Sequence, residues 1–386
     1  MKPVMISGPP RLWDYANLST EHLFAKTGNT GNLAFRYAVY KHLNRKAKIL
    51  PWGASPEAVH LAGDLAVMPC ANQLGPHENC SSRAKLVSSL KIPALAIGLG
   101  AQSKDLETLP EIPASTQQWV RAIAERQSTN NPNIAVRGEF TRRTLEKMGI
   151  RDQVEVLGCP SLFINDSPSL GKQIASKFKQ KRTAVIGVAA GNPLRPVNEN
   201  LERKLLNTAV KTGGNYIVQH PLPFIKVARG ETSDLSSDWH TRLQSLFGQP
   251  ISKANTFIPP PNISVFFDID AWMECLRQHD LVIGMRIHGT MLALQAGTPA
   301  LCIVHDSRTE ELCEIMKIPY IHARLLEESP ADMGAFMKYF EEKFDPIEFD
   351  KNRAKLAGKY ISLLNGSGLA ATREVAAISG RSESKA

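Results

Sequence analysis

The chain has 386 residues, 43% of them hydrophobic and 22% charged, with a formal net charge of +9. That is ordinary globular composition, and the length suits two domains better than a single core. The positive balance could serve nucleic acid, but Lys and Arg are scattered, with no long basic run interleaved with aromatics. A small polyanionic substrate fits the balance as well, and no nucleic acid polymer is expected as a partner. Six cysteines at positions 70, 80, 159, 275, 302 and 313 include no Cys-x-x-Cys pair, and most lie in apolar stretches. They read as reduced core residues of a cytoplasmic protein and exclude a disulfide or zinc framework. The first ten residues lack an apolar leader, and no run of eighteen apolar residues occurs, so no transmembrane segment is expected.

In chain order, a Pro-rich opening leads to Thr27-Gly-Asn-Thr-Gly-Asn32 and a helix through about residue 47. Gly28 and Gly31 permit a tight turn, and Asn32 is placed to cap the helix. Residues 63–69 and 93–100 are continuous apolar runs, as parallel strands buried on both faces should be. Each ends in a polar loop, which sets Asn72 and Gln102 on one sheet edge where amides could bind hydroxyls. A helix at 114–127 precedes a short strand at 133–137 that ends in Arg137-Gly138 and turns into an amphipathic helix up to Gly149. A Gly-Cys-Pro-Ser turn at 158–161 closes the first half, and residues 165–182 read as a linker.

The second half repeats the alternation. A strand at 183–191, a helix near 198–212, a strand at 215–219 and the loop His220-Pro-Leu-Pro223 come first. A helix around 233–247, an irregular Pro-rich stretch near 259–261 and a helix at 268–278 follow. The most informative stretch is then 280–308: an apolar strand, Met285-Arg-Ile-His-Gly289, an Ala/Leu/Met helix stopped by Gly297-Thr-Pro299, a second strand to Val304, and His305-Asp-Ser-Arg308. This is a βαβ unit with its polar residues where parallel strands run out. If the first strand persists to His288, Arg286 and His288 point the same way, and Gly289 lets a ligand approach a helix N-terminus. Two donors and a positive helix end then converge on one anion, and Arg308 adds a cation at the next strand end. A late strand at 317–322, helices at 329–345 and 351–364, and a small polar tail at 379–386 complete the chain.

Met285–Gly289, the Ala296-Gly-Thr-Pro299 stop and His305–Arg308 together resemble the C-terminal motif of the polysaccharide pyruvyl transferase family. The resemblance extends to Arg137 and the turn at 158–161. The family opens with Asn-x-Gly-Asp where this chain has Asn29-Thr-Gly-Asn32, an amide in place of a carboxylate. The resemblance implies an α/β fold of two Rossmann-like domains in a GT-B-like arrangement, at 1–170 and 171–325, with C-terminal helices and a tail at 326–386. It further implies an enzyme of polysaccharide biosynthesis that takes a pyruvyl group from phosphoenolpyruvate to a saccharide as a ketal, releasing phosphate. Arg137, Arg286, His288, Gly289 and Arg308 are then expected to bind the donor, with His288 also the catalytic acid. Asn29, Asn32, Asn72, Gln102 and His220 would face a saccharide acceptor, free or linked to a lipid or nucleotide. Neither a cofactor nor a metal is called for, since phosphoenolpyruvate is a co-substrate.

Other chemistries lose support: Gly-x-Gly-x-x-Gly, the P-loop pattern, His-Glu-x-x-His and Gly-x-Ser-x-Gly are all missing. Two alternatives stay open, a GT-B glycosyltransferase with a nucleotide-sugar donor and a non-catalytic glycan-binding protein. The acceptor sugar, the general base and the oligomeric state are not encoded in any motif.

Overall fold

A computed structural model describes residues 1–180, 184–192, 199–248, 262–326 and 332–380. The Pro-rich stretch near 259–261 and the tail from residue 381 lie outside the described residues. Apolar runs too short for helices pair here as parallel strands buried on both faces; β3 and β4 below are buried throughout. The first sheet contains β1 (Pro3–Ile6), β2 (Lys48–Leu50), β3 (Leu65–Pro69), β4 (Ala94–Leu99), β5 (Ile134–Val136) and β6 (Val154–Val156), in the order β2-β1-β3-β4-β5-β6. The second contains β7 (Ile186–Ala189), β8 (Tyr216–Ile217), β9 (Ile263–Ser264), β10 (Leu281–Gly284), β11 (Ala300–Val304) and β12 (Tyr320–His322), in the order β12-β11-β10-β7-β8-β9. All pairings between these strands are parallel.

The fold is thus α/β, with two Rossmann-like sheets in a GT-B-like arrangement. In each sheet the chain adds strands to one side of its first strand and then crosses to the other. The reversal falls between β1 and β3 in the first sheet and between β7 and β10 in the second. At such a point the connecting segments leave in opposite directions and a crevice opens beyond the carboxyl ends of the strands. The cavity described below lies at both reversals.

Several elements differ from the sequence reading. The opening segment contains β1, whose four residues are too few to show a period among the prolines that follow. The helix after Gly31 spans Asn32–His42 and stops five residues early, where Asn44 and Arg45 take positive φ. The expected linker contains a helix, Leu170–Lys179, and the loop after His220 turns into Leu222–Ala228 behind a cis His220–Pro221 bond. No helix among the described residues is long and apolar enough to cross a membrane. All six cysteines are free thiols.

Polar contacts tie the two halves together beside the cavity. Glu311, in the helix Ser307–Met316, is buried and accepts from the backbone N–H of Thr141 (2.8 Å) and from its hydroxyl (2.9 Å) at the start of the helix Glu139–Lys147. A carboxylate there satisfies an amide that the helix itself leaves unpaired. Ser307 Oγ donates to Ser103 O at 2.9 Å. The helix Pro346–Gly366 then returns to the first half, where Lys359 pairs with Glu155 at 2.7 Å. Glu311→Ala leaves the Thr141 donors without their partner. We expect it to lower unfolding free energy by about 1–3 kcal/mol, read as a reduced urea midpoint. An unchanged midpoint would show that the contact between the halves adds no stability.

Candidate active site

Strand β10 ends at Gly284, so Arg286 and His288 are not brought together by strand alternation as the sequence suggested. Arg286 is instead the N-cap of the helix Ile287–Gln295, in extended backbone (φ −110, ψ 106), and His288 sits in its first turn. Convergence comes from the helix start, whose unpaired N–H groups add positive potential. Arg137 is delivered by the end of β5, and Arg308 by the helix that follows β11. Together with Asn29, Asn32, Ala71, Asn72, Gln219, Met285, Ile287 and Thr309, these residues line one cavity of ≈ 70 Å³. That is room for a handful of water-sized groups, enough for the anionic part of a small ligand but not for a saccharide as well.

The cavity is rich in donors and poor in acceptors. Arg137 is 1% exposed. Its Nε donates to Gly98 O (3.0 Å) and its Nη1 to Asn72 Oδ1, while its Nη2 is buried without any partner. Gly100 makes room for this side chain, since a Cβ there would lie 2.6 Å from Arg137 Cδ. Gln219, also 1% exposed, leaves Nε2 buried and unpartnered. Arg286 Nε reaches Gly191 O at 3.4 Å. Arg308 pairs with Asp306 at 2.8 Å and approaches Gln102 Oε1 at 3.5 Å.

Another buried arginine shows what an ordinary structural role looks like. Arg353, also 1% exposed, donates from Nε to Leu162 O (2.9 Å), from Nη1 to Ser167 O (2.5 Å) and from Nη2 to Asn165 O. All three of its nitrogens are satisfied. Burying a donor without a partner costs about 1–3 kcal/mol, and Arg137 Nη2 and Gln219 Nε2 carry that cost together in one cavity.

The ionisation states follow from the same crowding. Burial, then Arg308, holds the Arg286 guanidinium down at about 10. Arg137 is lowered as well, mostly by burial and further by Arg308. His288 falls to about 3 through burial and then Arg137, Arg308 and Arg286, so its ring is neutral at neutral pH. A bound anion offsets those three charges and draws the ring back towards protonation.

The remaining expected residues are placed as follows. Gln102 does not line the cavity and bears on it through Arg308. His220 also lies outside the lining, with its ring 5.8 Å from Phe24; burial and then Arg286 lower its pKa. Gly289 serves packing: a Cβ there would stand 2.5 Å from Ala189 Cβ and 3.0 Å from Gln219 Nε2. Asn32 is the first residue of its helix and not the cap; its Nδ2 donates to Thr27 O at 3.2 Å. Asn29 Oδ1 accepts from Gly31 N at 2.8 Å. Asp306 caps its helix by accepting from Thr309 N at 2.8 Å and also holds Arg308. Sequence reasoning missed Gln219; the available signal was a polar residue closing the strand expected at 215–219, two positions beyond the end of β8.

Fold and cavity together define a two-sheet α/β protein with an arginine-lined cavity between its halves. The polysaccharide pyruvyl transferase family model matches residues 226–307, a stretch that contains Arg286 and His288 and leaves Arg137 and Arg308 outside. No curated protein matches the chain. Among solved structures, the chain is similar to the Methanocaldococcus jannaschii UDP-GlcNAc 2-epimerase in complex with UDP-GlcNAc and UDP. The two are 12% identical with a TM-score of 0.44, over 93% of this chain and 100% of that one. It is also similar to the Neisseria meningitidis UDP-GlcNAc 2-epimerase bound to UDP-GlcNAc, at 10% identity and a TM-score of 0.43, over 94% and 100%.

Inorganic phosphate is expected to bind in the cavity. Arg137→Ala and Arg286→Ala should each weaken it by about 1.5–3 kcal/mol, the value of a charge-assisted contact. Arg286→Lys should recover only part, because an ammonium lacks the planar fork. Equal affinity in the wild type and both alanine variants, measured by titration calorimetry, would remove the anion assignment.

Proposed function

We propose that the protein transfers the pyruvyl group of phosphoenolpyruvate onto a pair of saccharide hydroxyls as a ketal, releasing inorganic phosphate. The observation that carries the reading is the cavity with three arginines, two unpartnered buried donors and a neutral histidine, in a chain whose residues 226–307 match the pyruvyl transferase family model. The donor has a carboxylate and a phosphate, roughly three negative charges when fully ionised. Arg137, Arg286 and Arg308 supply matching positive charge, and Gln219 adds a neutral donor. The acceptor saccharide, free or lipid- or nucleotide-linked, lies outside this small space, against the polar loops at its mouth.

The donor is the phosphate ester of an enol and reacts by protonation at its methylene carbon. That carbon becomes a methyl group and the adjacent one becomes cationic. One saccharide hydroxyl adds there; the bond to the phosphate oxygen then breaks, and the second hydroxyl closes the ketal. Of the two hydroxyl protons, one replaces the proton given to the methylene and the other leaves on phosphate. His288 is the acid in this scheme. Its ring is neutral in the empty site and gains its proton only when the anionic donor offsets the surrounding guanidiniums.

Phosphoenolpyruvate is expected to raise the melting temperature, whereas nucleotide sugars should not; the reverse would favour a glycosyltransferase. His288→Asn should retain donor binding with modest loss while turnover falls by roughly 10²–10⁴-fold. Affinity and turnover need to be measured on the same protein. Near wild-type turnover at saturating donor would take His288 out of the chemistry.

A further inference from the structure

His288 makes a contact that lies outside the cavity lining and that the reaction scheme does not use. Its Nε2 lies 3.6 Å from Cys159 Sγ, within reach of a sulfur hydrogen bond. Cys159 belongs to the other half of the molecule, in the Gly-Cys-Pro-Ser turn that follows β6, and is 1% exposed. Its sulfur accepts from Ser161 Oγ at 3.0 Å, and its backbone N–H donates to Met316 Sδ at 3.4 Å. The ring is held from the side by Phe35, at 5.6 Å between centroids and 42° between planes. Among the described residues Nδ1 has no hydrogen-bond partner.

A neutral imidazole carries its proton on one nitrogen only, and the bond made by the other nitrogen decides which. Because Cys159 Sγ is already an acceptor for the Ser161 hydroxyl, its own S–H is free to donate, and Nε2 is the acceptor within reach. Nδ1 then keeps the ring proton. That arrangement suits an anion cavity, since a bare nitrogen lone pair facing a phosphate or carboxylate would repel it, whereas an N–H attracts it.

We propose that Cys159, oriented by Ser161, is a positioning residue that donates its S–H to His288 Nε2 and so holds the ring proton on Nδ1. The proposal deepens the functional reading and rests on it for the consequence in turnover, but the proton's location can be measured without any substrate. The sequence places these residues far apart, and only the docking of the two halves joins them. Cys159 touches neither donor nor acceptor.

The first measurement is ¹⁵N correlation of the histidine rings in the full-length protein. His288 is expected to be protonated on Nδ1 in the wild type and to show mixed or Nε2 protonation in Cys159→Ala. Turnover with phosphoenolpyruvate comes second. Cys159→Ala should leave donor affinity within about 2-fold while kcat falls about 10-fold, in the range seen when a group orienting a functional histidine is removed. Cys159→Ser keeps a donor at the same place and should restore most of the loss, which a residue needed only for packing would not require. If wild-type His288 is protonated on Nε2, or if Cys159→Ala changes neither tautomer nor kcat, the proposal is overturned. A Cys159→Ser protein with the alanine variant's defect also overturns it. Absence of phosphoenolpyruvate turnover in a wild type with the Nδ1 proton would instead count against the functional reading and leave the positioning role standing.

Discussion

Arg137 carries a positive charge into a place where no carboxylate of the described residues pairs with it. Arg286 and Arg308 line the same cavity, where Arg308 adds to the cost that burial already imposes on Arg137 and Arg286. Desolvating such a group costs several kcal/mol unless hydrogen bonds and opposite charge offset it. Here the offsets are partial: a carbonyl for Nε of Arg137, an amide oxygen for its Nη1 and Asp306 for Arg308. The fully capped Arg353 shows that this chain can bury a guanidinium with every nitrogen satisfied. The neutral state of His288 follows first from its burial and then from the same three cations.

Everything that holds this cluster together depends on how the two sheets meet. Each sheet offers a strand-order reversal, and neither half alone has the full set of cations. Arg137 and Asn72 follow strands of the first sheet, while Arg286, His288 and Arg308 follow strands of the second. Glu311, reaching across to the start of the Glu139–Lys147 helix, and Ser307, reaching to Ser103, fix the approach within two turns of Arg308. Buried contacts beside the site thus set its geometry. The returning helix Pro346–Gly366 secures the same approach from the far side.

Much of this was legible in the chain. Continuous apolar runs bounded by turns gave the buried parallel strands, and the βαβ unit around residues 280–308 stood out because its polar residues cluster where strands end. Arg137, Arg286, His288 and Arg308 all reach one cavity for that reason. The way Arg286 and His288 converge was less legible, since strand alternation and a helix start both fit Met-Arg-Ile-His-Gly, and only the position of Gly284 at the strand end separates them. Strand β1 was hidden because four residues carry no measurable period. Asn72 and Gln102 were placed correctly at the sheet edge, but their bonds to Arg137 and Arg308 depend on contacts between elements distant in sequence. Gln219, Cys159 and Glu311 fall in the same class: their roles exist only once the halves are docked.

The central claim is that the three guanidiniums and His288 form the seat of a small dianionic or trianionic donor. A crystal structure of the protein with phosphoenolpyruvate tests it most directly. The account predicts the carboxylate and phosphate between Arg137, Arg286 and Arg308, with Arg137 Nη2 and Gln219 Nε2 hydrogen-bonded and the methylene beside His288. A donor bound elsewhere, with the cavity still holding only solvent, would contradict it.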